Sequence, residues 1–206
     1  MTLPANTIKL AEHMLDFSHL SPPYGTITAD PPWMYQKNPG SKGSGVGAQG
    51  IAEVQYPTMT TEDILAMPVG SLAAEAAHLY LWTTVPKMFG GRFSDITAKD
   101  ICEGWGFEFK TMLTWVKPGS GGLGWYFRGQ TEHVIFGTRG GPKAAIPPAI
   151  RQANVIQAKR GRHSEKPQEF FDLVERVSPG PYLELFARTQ QPGWDAWGNE
   201  MIGGIA

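Results

Sequence analysis

Apolar positions recur with two different periods along this chain, and the switches between them mark alternating strands and helices. Thr26 to Ala29 reads as a short strand. Thr61 to Met67 reads as a helix begun by Thr61 and stopped by Pro68, and the alanine-rich stretch from Ser71 to Ala77 reads as a second helix. His78 to Thr83 then has strand character. Pro86 to Cys102 is expected to be mostly helical with a break at Gly90-Gly91, followed by strands over Glu108 to Val116 and His133 to Thr138 and a weaker one over Asn154 to Ala158. Ser164 is an N-cap candidate with Pro167 in the first turn. Phe170, Leu173, Val174 and Val177 give the helix that follows one apolar face, and Pro179-Gly180 ends it. Tyr182 to Phe186 is a further strand, and the tail from Gly203 is expected to fray. Strands alternating with helices predict an α/β fold whose sheet is covered on both faces.

Length narrows this picture. A chain of 206 residues with 41% apolar content suits one domain, 1–206, around one sizeable core. It has no charged leader with a long apolar core and no run of eighteen or more apolar residues, so a cytoplasmic protein without membrane association is expected. Cys102 is the lone cysteine and the five histidines are scattered, which leaves no metal-ligand spacing; Cys102 is simplest as a small core residue.

The net charge of −1 hides an uneven distribution. Lys110 to Lys166 holds ten Lys or Arg against Glu132 and Glu165, so this tract is +8 and the remainder is −9. Such a tract neutralises phosphates or forms a solvated basic face; the interleaved Trp115, Trp125, Tyr126 and Phe127 add stacking surfaces and favour nucleic acid.

The chemistry is concentrated in Asp30-Pro31-Pro32-Trp33, directly after the first strand. The prolines fix φ and hold the residue before each of them extended, so Asp30 is an acceptor on a stiff mount and the carbonyls have set directions. A carboxylate, a rigid carbonyl and a flat ring are what an exocyclic purine amine requires: two acceptors for its N–H groups and a surface for the base. The simpler alternative is a turn that ends a strand, with Trp33 partly buried. Two long glycine-rich loops, Gln36 to Gly50 and Gly140 to Pro148, break the pattern, and the first is either disordered or a lid beside Trp33. Gly45-x-Gly47-x-x-Gly50 matches a dinucleotide fingerprint in spacing alone: no strand precedes it, and Pro57 comes too soon for a full helix.

With that tetrapeptide stand Tyr80-Leu81-Trp82-Thr83, Trp115-Val116-Lys117, Thr131-Glu132-His133, Ser164-Glu165-Lys166-Pro167, Glu184-Leu185-Phe186-Ala187-Arg188 and Gly198-Asn199-Glu200. In this order the chain resembles the MT-A family of adenine-N6 methyltransferases over most of its length. The resemblance implies a Rossmann-like methyltransferase fold with a mostly parallel sheet and circularly permuted motif order, the catalytic motif preceding the cofactor strand. It implies S-adenosyl-L-methionine as cofactor, no metal, and transfer of a methyl group to the N6 amine of adenine in nucleic acid, DNA before RNA. The alternatives are an RNA adenosine methyltransferase or a catalytically silent binding subunit, and a homo- or hetero-dimer fits either.

By resemblance, Asp30, Pro31, Pro32 and Trp33 are catalytic. Asp30, Lys166, Glu184, Arg188, Asn199 and Glu200 hold the cofactor, and Trp33, Tyr56, Glu132 and Lys166 face the substrate. His133 is expected to be an ordinary strand residue with its hydrogen bonds satisfied. The chain departs from related amino-methyltransferases at Phe186-Ala187-Arg188, where a glycine pair is usual; side chains more than a glycine turn are therefore expected to hold the cofactor.

Overall fold

The structure is a computed structural model, and it describes residues 16–34, 58–90, 95–119, 126–161 and 165–198. Seven strands form one sheet: β1 (Tyr24–Ala29), β2 (Ala73–Thr83), β3 (Glu108–Val116), β4 (Thr131–Arg139), β5 (Val155–Gln157), β6 (Tyr182–Leu185) and β7 (Trp194–Trp197). Their spatial order is β5-β3-β4-β2-β1-β6-β7. The sheet is mostly parallel; only β4 opposes its neighbours β2 and β3. The helices are α1 (Thr61–Ala66), α2 (Val85–Met88), α3 (Ala98–Gly104) and α4 (Gln168–Val177).

Strand alternation divides the core in two. Ile27, Ala29, Leu79, Leu81, Ile135, Leu183 and Leu185 face one side, where Ile64 of α1 and Ile101 and Cys102 of α3 cover them. Tyr80, Trp82, Leu113, Trp115, Val134 and Phe136 face the other, under Phe170, Phe171 and Val174 of α4. The expected α/β architecture with both faces covered is what the chain adopts. Cys102 is fully buried, and burial pushes its thiol up to about 12, so it is an inert core residue.

Three elements differ from the sequence reading. The stretch from Ser71 to Ala77 is not a helix: Val69–Ser71 make one 3-10 turn and β2 begins at Ala73. Alanine favours helix by only a few tenths of a kcal/mol per residue, and a strand slot between β1 and β4 outweighs that. The helical stretch after β2 is two short helices, α2 and α3, with a capping box at Thr97 and Asp100 opening the second. β7 went unnoticed because four residues, Trp-Asp-Ala-Trp, are too few to establish a period. Near α4, Pro167 is the N-cap itself, and Ser164 lies outside the described residues.

The crossover from β1 leads to β2 on one side, and β7 follows β6 on the other, while β1 and β6 lie side by side with Ala29 opposite Leu185. Adjacent parallel strands whose crossovers diverge leave a crevice at their carboxyl ends, where α/β sheets bind ligands. Because β4 is antiparallel, its first residues share that edge with the last residues of β2 and β3.

Candidate active site

Asp30 is the first residue beyond β1 and therefore stands at this crevice. Its side chain meets Lys166, with Nζ 2.8 Å from Oδ2. The same ammonium lies 3.2 Å from Glu132 Oε2, and Lys117 pairs with the other oxygen of Glu132. Local chemistry aims each of these groups. Lys166 precedes Pro167, which holds it extended just ahead of α4. Glu132 is registered opposite Trp115 and shares a face with Val134, and Lys117 N donates to Gln130 O at 2.8 Å where β3 ends.

Two acids and two bases make this quartet neutral, which suits its burial. The Lys166 side chain is only 11% exposed, and stripping water from an ammonium costs several kcal/mol. Burial pulls its pKa down, but Asp30 and Glu132 together hold it above the ordinary lysine value. Glu132 behaves symmetrically: burial pushes it up, and Lys166 and Lys117 bring it below the usual carboxylate value. Beneath Lys166 lies Trp82, its ring centroid 4.4 Å from Nζ. Edge contacts with Phe170 at 4.8 Å and Trp115 at 6.1 Å lock that indole.

Trp33 is 6% exposed and donates its indole N–H to the carbonyl of Trp82 at 3.2 Å. It is thus a wall of the crevice rather than the open stacking platform the sequence suggested. Pro31 O accepts the Trp33 N–H and Pro32 O accepts the Met59 N–H, both at 2.8 Å, so the turn is fixed while each carbonyl keeps a lone pair. Lys87 of α2, also buried, places Nζ 5.9 Å from the Trp33 ring centre; burial holds its pKa below the ordinary lysine value.

Glu184 lies on β6 between Thr28 of β1 and Ala196 of β7. Burial, reinforced by the Asp30 charge, pushes its carboxyl up to about 7 despite Lys166. Immediately beyond β6, Phe186 adopts φ of 64°, a left-handed conformation uncommon outside glycine. A left-handed turn therefore stands here without the glycine pair, formed by a phenylalanine whose ring packs edge-on against Trp197 at 5.4 Å. Gly198 closes on the same turn: any Cβ there would overlap the backbone of Ala187 and Phe186. Trp197 Nε1 is a buried donor without a partner among the described residues.

A backbone cradle that admits no Cβ, a buried carboxyl able to ionise near neutrality, a lysine, and Arg188 two residues past the strained turn form a donor set that fits a cationic nucleoside carrying an amino-acid carboxylate. Tyr56, Asn199 and Glu200 lie outside the described residues, as does the loop from Gln36 to Gly50.

Other expectations changed at this edge. Trp115 is only 1% exposed and is no stacking surface, and Trp125 lies outside the described residues. Much of the basic tract is already engaged: Lys110 with Glu108, Lys143 with Glu75, Lys117 and Lys166 in the quartet, Arg139 on Gly70 O. His133 bonds Thr114 Oγ1 at 3.2 Å and Thr131 Oγ1 at 3.3 Å, an ordinary strand residue as expected. Lys117, Trp82 and Lys87 were not singled out from the sequence; the first two sat within quoted motifs, whereas Lys87 carries no signal of its own. No three His, Cys, Asp or Glu side chains gather as a metal site among the described residues. No helix among them is long and apolar enough to cross a membrane.

A permuted, mostly parallel sheet with an acid, two prolines and a tryptophan at its switch point defines a Rossmann-like methyltransferase. The MT-A70 family model matches residues 24–200, and the chain belongs to that family. It is 32% identical over 195 residues to the type II methyltransferase M.MunI of Mycoplasma sp, covering 86% of this chain and 78% of that protein. It is 29% identical over 210 residues to the N(6)-adenosine-methyltransferase MT-A70-like protein of Drosophila melanogaster, covering 97% of this chain and 30% of the relative. The catalytic subunit METTL3 of the human N(6)-adenosine-methyltransferase is 28% identical over 190 residues, 87% of this chain and 28% of that protein.

Proposed function

We propose that this protein is an S-adenosyl-L-methionine-dependent methyltransferase that modifies the exocyclic N6 amine of adenine in nucleic acid, DNA in preference to RNA, with 1–206 acting as one catalytic unit. The observation that carries this reading is the contact between Lys166 and Asp30 at the shared carboxyl edge of β1 and β6. It sets a lysine suited to a cofactor's carboxylate against the segment suited to an amine. The type II methyltransferase is 32% identical, against 28–29% for the relatives named for adenosine, a ribonucleoside, and that difference supports the preference for DNA.

When bound, the cofactor would supply an electrophilic methyl group on positively charged sulfur. The cofactor-binding assignment covers Lys166, Glu184 and Arg188, with Asn199 and Glu200 by resemblance, and it includes Asp30 at the junction. An aromatic amine is a weak nucleophile because its lone pair is delocalised into the ring. Asp30 and the free lone pair of the Pro31 carbonyl accept its two N–H groups, which favours a pyramidal nitrogen and stabilises positive charge as it develops. A carboxylate offers about four acceptor positions, so Lys166 leaves Asp30 capacity for this bond. The nitrogen that gains a methyl group loses one proton, and the partly exposed Asp30 passes it to solvent. Glu132 holds Lys166 on the substrate side, Trp33 walls the base plane, and Tyr56 joins the substrate side by resemblance.

The test is nucleoside mass spectrometry after incubation with isotopically labelled S-adenosyl-L-methionine and separate DNA and RNA pools. Labelled N6-methyl-deoxyadenosine is the expected product. Label found only in the RNA pool would reverse the polymer preference, and label in neither pool would overturn the assignment. A thermal shift by S-adenosyl-L-methionine but not NAD tests the cofactor separately.

A further inference from the structure

Nine of the ten basic residues of the Lys110 to Lys166 tract are described, and they resolve into two populations; Arg162 lies outside the described residues. Lys110, Lys117, Lys143 and Lys166 are in ion pairs, and Arg139 and Arg151 bond backbone carbonyls. Arg128, Lys159 and Arg160 are exposed and are held by no ion pair among the described residues. All three lie where the chain enters β4 or leaves β5 at the carboxyl edge of the sheet. Val116 at the end of β3 ties them together: it pairs with Gln157, its carbonyl accepts Ala158 N at 3.4 Å, and its neighbour Lys117 bonds Gln130 O.

Two large rings stand on the same rim. Tyr126 is 94% exposed and Phe127 90% exposed, directly before Arg128. Adjacent aromatic side chains so exposed cost free energy in water unless something covers them. An apolar partner alone would leave three desolvated cations beside the rings, so the covering surface must be both flat and anionic. Unpaired nucleobases on a phosphate backbone meet both demands.

We infer that Tyr126, Phe127, Arg128, Lys159 and Arg160 form a rim that binds an unpaired nucleic-acid strand, stacking the bases that flank the target adenine. This rests on the proposed function and deepens it by specifying the substrate as locally single-stranded. Arg128 and Tyr126 lie two and four residues from Gln130, so full extension limits their separation from it to roughly 7 and 14 Å. That places the rim within a few nucleotides of the Glu132–Lys166–Asp30 cluster along a strand. Bases inside an intact duplex offer no free face to such rings.

The test uses the full chain, fluorescein-labelled adenine-containing single strands, and the same sequence as duplex. Binding is read by anisotropy and turnover by methyl transfer. The double variant Tyr126→Ala with Phe127→Ala should raise both Kd and KM for the single strand about tenfold or more. The triple variant Arg128→Ala, Lys159→Ala, Arg160→Ala should reduce the slope of log K against log salt by about 2, given roughly 0.7 per phosphate contact on single strands. The thermal shift given by S-adenosyl-L-methionine should be the same in both variants and the wild type, which shows that folding and the cofactor turn are intact. Affinities of wild type and aromatic variant for the single strand that agree within a factor of two, or tighter wild-type binding to duplex than to single strand, would overturn the rim. So would a change of oligomeric state in the aromatic variant on sedimentation, since the rings would then cover a second copy of the chain. If the wild type binds strand through the rim yet methylates no adenine, the rim stands and the proposed function fails.

Discussion

The indole N–H of Trp33 reaches across from the end of β1 to the carbonyl of Trp82 near the end of β2, 3.2 Å away. This bond ties the acid-bearing turn to the indole under Lys166, so one hydrogen bond aligns both halves of the site. Trp33→Phe keeps most of the buried ring and removes the donor. It should cost about 1 kcal/mol of stability on urea unfolding and lower kcat more than it raises KM. Trp33→Ala also leaves a cavity and should cost about 3–5 kcal/mol.

Asp30→Asn retains shape and removes charge. Methyl transfer should fall by at least about a hundredfold, in line with losing a group aimed at developing charge, with modest loss of cofactor binding by calorimetry. Turnover of Asp30→Asn within a few-fold of wild type would remove Asp30 from the mechanism.

Lys166→Met leaves Asp30 and Glu132 facing each other across a half-buried gap. Removing the shared cation should cost about 1–3 kcal/mol, between the values for exposed and fully buried pairs, read by urea unfolding at neutral pH. The double variant Lys166→Met with Glu132→Gln should recover part of that loss, because Asp30 and Lys117 then leave the cluster neutral again. Activity should return in neither.

Glu184 gives the site a pH dependence of definite sign. Its folded pKa of about 7 stands above the ordinary 4.5, so the folded state binds the proton more tightly. The contribution to stability is full below pH 4.5 and is lost as pH rises through 7. Glu184→Gln removes this loss. The variant should match wild type at pH 4 and exceed it at pH 8 by up to about 3 kcal/mol, measured by urea unfolding. A cationic ligand beside Glu184 expels the same proton, so wild-type affinity for S-adenosyl-L-methionine should rise through pH 7 while the variant stays flat.

His78 carries the opposite dependence. Its Nε2 lies 2.7 Å from Ala144 O and must donate, so Nδ1 accepts the Ser178 hydroxyl at 2.8 Å; that hydroxyl in turn accepts Tyr80 OH at 2.7 Å. Burial holds the imidazole below its ordinary 6.5, favouring the neutral ring. Stability is therefore full above pH 6.5 and falls as pH drops through the lower folded value. His78→Gln should be less stable by about 1–3 kcal/mol at pH 7.5 and should narrow its deficit toward pH 5.

The parts of this architecture legible in the sequence are those where local pattern and tertiary demand agree. The first strand and its proline-fixed turn, the apolar β4, and the one-faced α4 announce themselves because a short window holds all the information. Residues 73–77 do not: Ala-Ala-Glu-Ala-Ala reads as helix, and only the neighbours β1 and β4 make it strand. The site divides likewise. Asp30 and Trp33 are visible as a motif, but the burial of Trp33 is visible only with β2 in place. The pairing of Lys117 with Glu132 depends on the β3–β4 register, and the turn at Phe186 on a glycine twelve residues later. Charge counting overstated the nucleic-acid face, since a sum along the chain cannot distinguish a lysine in a buried quartet from one in water.

Because β1 and β6 are neighbours in the sheet although four other strands separate them along the chain, the crevice between them has no second wall until β6 has emerged from the ribosome. Long-range parallel pairing of this kind is also slow to form. A nascent or truncated molecule that ends before Tyr182 carries Asp30, Pro31, Pro32 and Trp33 and yet lacks the β6 wall of the crevice, so methylating capacity waits for β6.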